Sequence, residues 1–326
     1  MSHTKIGMIN RKRLQMKGLS RRVHDLDASV IEEVGYLVNN KRFRSIETVA
    51  GRIQQAKKKG GAIILMLGAH VVRSGVQKFI IDLMENDYLT HIAMNGAGMI
   101  HDFEFSLIGA TTENVSRYIK TGEFGMWNET GQLNDIINRT YRDEPDTGMG
   151  WVIGKTIEEG DYLFKSHSLM AAGYRLGIPV TIHVSIGQDI IHQHPNCDGA
   201  ATGALSYNDF LCLGNSVAKL ENGVIMNFGS AVMAPEVFLK ALSMARNVAR
   251  QDGFAIHKFT SLVCDLHDLP EQLDCEPPKD NHYYYFRPWK TMLVRTVKDG
   301  GEGYYQRGLH KDTIPSLWNS IKKLEK

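Results

Sequence analysis

The stretch THIAMNGAGMIHDFEFSLIGAT (residues 90–111) joins an apolar strand to a helix through a cluster of small residues. The cluster NGAG (95–98) follows the strand, and His101 and Asp102 fall on the first turns of the helix. Glycine lets a ligand approach the backbone closely, and the free N–H groups at the start of a helix favour phosphate. The stretch therefore predicts a strand–turn–helix unit that binds a ligand, and a dinucleotide is the ligand that this chemistry favours.

Two further apolar segments end in the same way, LMLGAHVVRSG (65–75) and MNFGSAVMAPE (226–236). The carboxyl ends of parallel strands share one edge of a sheet, and ligands lie in the crevice there. Glycine ends strands in any α/β fold, so one such turn alone would carry little weight. Three turns, two of them next to His70 and His101, favour a shared site. Their spacing is not G-x-G-x-x-G, so a standard Rossmann dehydrogenase is not predicted.

Strands and helices alternate along most of the chain. The sequence predicts strands at 60–68, 89–96, 178–187, 223–230, 256–266 and, from an aromatic run, 283–296. It predicts helices at 75–87, 166–177, 234–253 and from residue 100 onward. This alternation predicts an α/β fold, Rossmann-like, with a parallel sheet flanked by helices. We expect a basic amino-terminal arm at 1–45, ending in a helix that starts at Asp27 or Ser29, and a single α/β domain at 46–326.

The composition is that of an ordinary soluble enzyme, with 43% hydrophobic and 23% charged residues among 326. A net charge of +2 gives no field that would favour nucleic acid, and the basic residues near the start and at Lys57–Lys59 indicate a solvated arm and a helix end. The four cysteines form no CxxC pair, which favours free thiols in a reducing compartment. We find no signal peptide and no run that spans a bilayer, so we expect a cytoplasmic protein without a membrane partner.

Several segments of the chain resemble a known family. GAHVVRSG (68–75) and the stretch from residue 80 to 111 resemble the amino-terminal half of deoxyhypusine synthase, and GIPVTIHVSIGQDII (177–191) and GVIMNFGSAV (223–232) resemble later segments of that enzyme. The resemblance runs from about residue 40 to the end. It implies a parallel-sheet fold that binds NAD at the strand ends, a polyamine substrate (spermidine) and a homotetramer with active sites between subunits.

The resemblance also implies roles for individual residues. Asp189 matches the substrate-binding aspartate of the family, and His194 matches a histidine a few residues after it, which we expect to be catalytic. The positions that match the NAD-contacting turns are Gly68, Ala69, His70, Ser74, Asn95, Gly96, Ala97, Gly98, Asp102, Gly229 and Ser230.

The reaction implied is NAD-dependent transfer of an aminobutyl group. Oxidation of spermidine gives an imine, a lysine captures the butylimine, and a protein lysine (as in hypusine formation) or a small amine accepts the group. The covalent lysine needs a lowered pKa, which burial or a neighbouring cation can supply. The family's K-H-H segment is replaced here by SAVMAPE (230–236), and its W-G-K motif is absent. The covalent lysine is therefore Lys298, our choice, or Lys290 beside Trp289, or it is absent.

Several other residues and one other function are also compatible with the sequence. Glu236 and Glu302 are further candidates for anchoring an ammonium, although an acid at a helix start such as Glu236 is favourable for the helix dipole alone. The segment HQHPNCD (192–198) has no zinc-type spacing, so we expect a polar loop and no metal. The aromatic run 283–286 is expected to pack in the core or in an interface. The alternative function is a non-catalytic dinucleotide-binding sensor or assembly subunit.

Overall fold

A computed structural model describes residues 7–35 and 41–325 of the chain. The strands among these residues are β1 (His24–Asp27), β2 (Ile63–Leu67), β3 (His91–Asn95), β4 (Ala110–Glu113), β5 (Val180–His183), β6 (Val224–Phe228), β7 (Thr260–Asp265) and β8 (Glu302–Arg307). The α-helices are α1 (Arg44–Lys59), α2 (Ala69–Arg73), α3 (Gln77–Glu85), α4 (Gly96–Ile108), α5 (Val115–Tyr118), α6 (Gln132–Asp143), α7 (Met149–Glu159), α8 (Leu169–Leu176), α9 (Gly199–Val217), α10 (Met233–Gln251) and α11 (His310–Leu324).

Six strands form one parallel sheet in the order β5-β3-β2-β6-β7-β8. Counted along the chain, these strands are in the order 3-2-1-4-5-6, which is the order of a doubly wound dinucleotide-binding fold. The predicted α/β, Rossmann-like class is therefore confirmed. β1 and β4 form a separate antiparallel pair.

Both faces of the sheet are covered, which explains the continuous apolar strands. In β2, Ile63, Leu65 and Leu67 belong to one apolar cluster, which includes residues of α1, α4 and α11. Ile64 and Met66 belong to the other, which includes residues of α9 and α10. All five side chains are fully buried, because strands of a parallel sheet with helices on both sides have no solvent face.

One predicted strand is wrong. The segment 283–296 forms a short 3-10 helix (His282–Tyr285) and a π-helix (Trp289–Arg295) instead, and the sixth strand is β8, further along the chain. Pro288 lies directly before the π-helix, and Trp289, Met292 and Leu293 bury their side chains in one of the two apolar clusters. Spacings of three and four residues place these side chains on one helical face, and this packing overrides the strand preference of aromatic residues.

The helix predicted to start at Asp27 or Ser29 is also wrong in the part of it that the structure describes. Asp27 caps only a three-residue 3-10 turn, Ala28–Val30, and residues 31–35 have no helical structure. Tertiary bonds replace helical ones: the Ala28 N–H donates to the Gly109 carbonyl at 2.7 Å, and the Glu32 N–H to the Gly75 carbonyl at 2.8 Å. Residues 36–40 of the predicted helix lie outside the described residues, and the first α-helix begins at Arg44.

Among the described helices, none has a stretch long and apolar enough to span a bilayer.

A buried ion pair fixes the amino-terminal arm to the body of the fold. The Arg22 guanidinium donates to both carboxylate oxygens of Glu104 at 2.8 Å, and both side chains are 1% exposed. The hydroxyls of Thr111 and Thr130 also donate to this carboxylate, at 2.7 and 2.6 Å. Bidentate geometry with further hydrogen bonds compensates the desolvation of both charges.

Removing one partner should leave the other charge buried and unpaired. We expect Glu104→Ala to lower the free energy of unfolding by about 3–5 kcal/mol, as measured by urea denaturation. The matched control is Glu276→Ala, which removes the exposed bidentate pair with Arg295 and should cost about 0–1 kcal/mol. Equal losses in the two variants would contradict the anchoring role of Arg22 and Glu104.

Candidate functional site

The three predicted turns meet in one cleft of about 560 Å³ at the carboxyl edge of the sheet. The cleft lies where β2, β3, β5 and β6 end, as expected for a doubly wound sheet. Nine of the residues predicted for the site line it: Gly68, Ala69, His70, Asn95, Gly96, Ala97, Asp189, Gly229 and Ser230. His183, Val184, Ser185, Gln188, Val232 and Met233 are among the others on its wall.

The turn after β3 leads directly into α4, which begins at Gly96 rather than near Ile100. The Asn95 side chain caps the helix by accepting a hydrogen bond from the Gly98 N–H at 3.0 Å. Gly96 and Ala97 both line the cleft, and their N–H groups, at the start of the helix, have no partner within it. Gly98 itself is buried within the helix and does not line the cleft.

The glycines after β2 and β6 allow the two turns to touch. A Cβ on Gly68 would lie 2.0 Å from the carbonyl oxygen of Gly229, which excludes any side chain there. Gly229 has a φ of +66°, in the left-handed region that favours glycine. These two glycines therefore bring the adjacent turns close enough to form a continuous floor.

Asp189, in the loop after β5, brings an acid to this cleft. Its carboxylate lies against α4, since a Cβ on Gly96 would be 2.0 Å from Oδ2, and its side chain is only 6% exposed. No lysine or arginine of the described residues pairs with it; the closest ring nitrogen is Nδ1 of His192, 3.9 Å away. That nitrogen accepts hydrogen bonds from the N–H groups of Gly187 and Asp189, so the ring is neutral. Burial raises the pKa of Asp189 to about 6.

A side pocket of about 250 Å³ shares Ala97, Gln188 and Asp189 with the cleft. Its most distinctive member, Glu113, was not predicted from the sequence. One carboxylate oxygen of Glu113 accepts hydrogen bonds from the Gly125 N–H and the Trp127 Nε1–H, both at 2.9 Å, whereas Oε2 is buried without a partner in the described residues. Burial raises the pKa of this carboxyl. The other walls combine apolar and polar side chains: Arg22, Ile100, His101, Glu104, Thr112, Val115, Phe124, Gln188 and Ile190.

Besides Gly98 and Lys298, three residues predicted for the site line neither cavity. The Ser74 hydroxyl donates to the His70 carbonyl. Asp102 is buried and accepts hydrogen bonds from the Ser168 hydroxyl and from the N–H groups of Leu169 and Met170, so it holds the start of α8. His194 is fully buried, with Nε2 2.6 Å from the Gly125 carbonyl oxygen. In the structure, Ser74, Asp102 and His194 therefore make contacts within the fold and do not line the cleft.

The predicted position of Lys298 is wrong. This lysine is exposed in the turn before β8, at the amino edge of the sheet and opposite the cleft. Glu302 begins β8 at the same edge and pairs with Arg52 at 2.8 Å. A residue that precedes a strand of a parallel sheet lies at the edge away from the ligand crevice.

Neither of the two remaining candidates lines the cleft. Lys290 is 3% exposed within the π-helix, and its ammonium lies 3.5 Å above the ring of Tyr284. Glu236, in the first turn of α10, forms ion pairs with Lys240 and Arg287. In the described part of the chain no group of three histidine, cysteine or acidic side chains could hold a metal ion.

Comparisons with known proteins agree with the resemblance read from the sequence. No family model matches the chain. It is 25% identical over 238 residues to a deoxyhypusine synthase-like protein of Elusimicrobium minutum. The resemblance is confirmed. The match covers 63% of this chain and 59% of that protein, so the chain spans about three fifths of the curated relative.

Two solved structures show the same fold. Unliganded AgrE has a TM-score of 0.52 at 15% identity, and the match covers 86% of this chain and 32% of AgrE. The ternary complex of AgrE with ornithine and NAD+ has a TM-score of 0.50 at 14% identity, and the match covers 88% and 34%. At this identity the likeness concerns the fold.

Asp189 is buried and has no lysine or arginine partner among the described residues. We therefore expect that replacing it with a neutral residue stabilises the protein, to an extent that depends on pH. Because its pKa rises from 3.8 to about 6 in the folded state, the contribution of Asp189 to stability is full below pH 3.8 and is lost as the pH rises through 6. We expect Asp189→Asn to melt at a higher temperature than the wild type at pH 8 and at the same temperature at pH 3.5, by differential scanning calorimetry.

The control for this prediction is Asp198→Asn. Asp198 is an exposed carboxylate that caps α9 by accepting hydrogen bonds from the N–H groups of Ala200 and Ala201. Asp198→Asn should not raise the melting temperature at pH 8, because an asparagine caps a helix about as well as an aspartate. A lower melting temperature of Asp189→Asn at pH 8 would mean that a cation compensates Asp189.

Proposed function

We propose that this protein is an NAD-dependent transferase that takes an aminobutyl group from a polyamine and gives it to an amine acceptor. The observation that carries the proposal is the Asp189 carboxylate, which is buried, has no lysine or arginine partner among the described residues and lies against the start of α4 beside the cleft. The likeness to a deoxyhypusine synthase-like protein supports the same class of reaction. A homotetramer in the cytoplasm belongs to the proposal.

The cleft fits a dinucleotide. Its volume lies in the range of ordinary ligand sites. The N–H groups at the start of α4 offer a place for the diphosphate, and the glycines at 68, 96 and 229 leave the backbone accessible. AgrE, which shares the fold, has been crystallised with NAD+, and this supports the cofactor assignment. When bound, NAD+ would supply the hydride acceptor.

The acids beside the cleft fit a cationic aliphatic substrate. Asp189 lies between the cleft and the side pocket, and Glu113 lines the side pocket with one oxygen unpaired in the described chain. Ile100, Phe124 and Ile190 provide apolar surface between these carboxylates. A polyamine combines ammonium groups with methylene segments, and its charges would compensate acids whose burial is otherwise costly.

The side chains that line the two cavities indicate which kind of amine accepts the aminobutyl group. No lysine of the described residues lines the cleft or the side pocket, and Lys298 lies at the opposite edge. A covalent lysine intermediate is therefore not part of the proposal. We favour transfer of the aminobutyl group directly to a small amine over transfer to a lysine of a partner protein.

The alternative is a dinucleotide-binding sensor or assembly subunit without transfer activity. The same absence of a lysine from the described cleft residues favours it, together with SAVMAPE in place of the K-H-H segment. Release of 1,3-diaminopropane from spermidine separates the two functions, because only the transferase produces it.

The cofactor assignment predicts stabilisation by NAD+. A ligand at a hundredfold excess over its dissociation constant stabilises the native state by about 2.7 kcal/mol. Ala97→Phe should abolish this shift in melting temperature, because Ala97 is the second residue of α4 and lines the cleft. The matched control is Ala200→Phe, the second residue of α9, which is exposed and should leave the shift intact. A wild type without any shift would rule out both the transferase and the sensor.

The substrate assignment predicts a selective effect at Asp189. Asp189→Asn should weaken spermidine binding roughly ten- to a hundredfold, the cost of about 1.5–3 kcal/mol for a charge-assisted contact. NAD+ binding should change little. Isothermal titration with each ligand measures both effects, and Glu236→Gln is the control because Glu236 already pairs with Lys240 and Arg287. Equal weakening of the two ligands by Asp189→Asn would indicate a structural role.

A further inference from the structure

A chain of four polar side chains runs from α9 along one face of the sheet to the cleft. Nδ1 of His91 lies 2.8 Å from the Ser216 hydroxyl, and Nε2 of His91 lies 2.9 Å from the Thr181 hydroxyl. The same hydroxyl lies 3.0 Å from Nε2 of His183, which lines the cleft. The inner members are almost fully buried, whereas Ser216 is partly exposed on α9.

The Thr181 hydroxyl has one proton, and its possible acceptors are Nε2 of His91 at 2.9 Å, Nε2 of His183 at 3.0 Å and the Ile92 carbonyl at 3.4 Å. It can therefore donate to at most one of the two rings. A path that carries a proton away from the cleft requires Thr181 to donate to Nε2 of His91 and His183 to donate its own Nε2–H to Thr181. Nδ1 of His183 keeps its lone pair and has no hydrogen-bond partner in the described residues.

Packing alone does not account for these groups. They lie on the sheet face that is otherwise filled by apolar side chains such as Ile64, Ala93, Leu213 and Val217. Burial of polar groups is costly unless each is satisfied, and the chain satisfies every nitrogen except the one beside the cleft. Burial lowers the pKa of His183 to about 4 and that of His91 to about 3, so both rings are neutral at pH 7 and neither can keep a second proton.

We propose that His183 is the general base of the cleft and that Thr181, His91 and Ser216 form the path by which its proton leaves. The inference rests on the proposed function, in which a secondary ammonium must become a neutral amine before it loses a hydride. Nδ1 of His183 takes the ammonium proton while its Nε2 proton moves to Thr181. The Thr181 proton passes to Nε2 of His91, and the Nδ1 proton of His91 passes to Ser216. Each group binds one proton and releases one, so no charge stays in the interior.

The tautomers of the two histidines test this path in the unmodified protein. Two-bond ¹H–¹⁵N correlation spectra of the full chain, labelled with ¹⁵N-histidine, report which ring nitrogen carries the proton. We expect His183 protonated on Nε2 and His91 protonated on Nδ1. If His91 is protonated on Nε2, Thr181 cannot donate to it, the path is interrupted, and the proposal is wrong.

Variants separate a proton path from a structural network. Thr181→Val removes the hydroxyl at nearly constant shape and should leave His183 as a mixture of both tautomers, whereas Thr181→Ser should restore the Nε2–H form. Thr313→Val is the control, because Thr313 is a buried threonine of α11 whose hydroxyl has no partner in the described residues. An unchanged His183 tautomer in Thr181→Val would overturn the proposal.

A kinetic measurement completes the test. His183→Gln should slow amine-dependent NADH formation by about a hundredfold or more, the usual contribution of a general base, while the NAD+-induced shift in melting temperature stays. A rate within threefold of the wild type would overturn the role of His183 as the base. If NAD+ does not bind at all, the proposed function fails, and the tautomers still decide whether the path exists.

Discussion

The fold depends on the coverage of one parallel sheet on both faces. All residues of β2 and β6 are buried, so polar chemistry can reach solvent only where the strands end. From β2 the chain adds β3 and β5 on one side and then returns to add β6, β7 and β8 on the other. After the turns that follow β2 and β6 the chain continues toward opposite edges of the sheet, and such sheets bind ligands at this switch point. The position of the cleft is a consequence of strand order.

The buried acids of this fold are of two kinds, those whose charge is compensated by neighbouring groups and those whose charge is not. The first kind is structural, and the second lies at the candidate site. Glu104 is fully compensated by Arg22 and two hydroxyls, and Asp209 accepts hydrogen bonds from the N–H groups of Gly150 and Ile182, which ties α9 to α7 and β5. Asp189 has no lysine or arginine partner, and Oε2 of Glu113 has no hydrogen-bond partner, among the described residues. Thr112, beside Glu113, has a φ of +63°, which is strained for a β-branched residue. Uncompensated charge and strain in one place are typical of sites kept for binding rather than for stability.

The sequence was sufficient for features that depend on neighbours in the chain. Each of the three glycine turns directly follows its strand. The carboxyl ends of parallel strands share one edge of the sheet, so the local pattern was enough to predict that the turns meet. Glu113 and His183 were missed because their partners are distant in sequence: Trp127 reaches Glu113 from another segment, and His91 and Ser216 lie on other elements. The predicted strand at 283–296 was wrong because its aromatic side chains pack as a helical face against α10, a tertiary effect that propensity does not contain. No prediction was made for α6, α7 and α9.

The position of Lys298 was predicted wrongly because its turn precedes a strand instead of following one. This difference changes the chemistry that the cleft can support. A glycine-containing turn precedes β8 just as glycine-containing turns follow β2, β3 and β6, and the local pattern does not distinguish the two ends of a strand. In a parallel sheet the two ends lie at opposite edges, about five residues or 16 Å apart at 3.3 Å per residue. On the proposed function, the cleft therefore combines acids that hold an ammonium with a histidine that deprotonates it, and its described walls contain no primary amine. The nucleophile of the transfer must enter the cleft as a second substrate, and the same acids that bind the donor polyamine would bind a cationic acceptor.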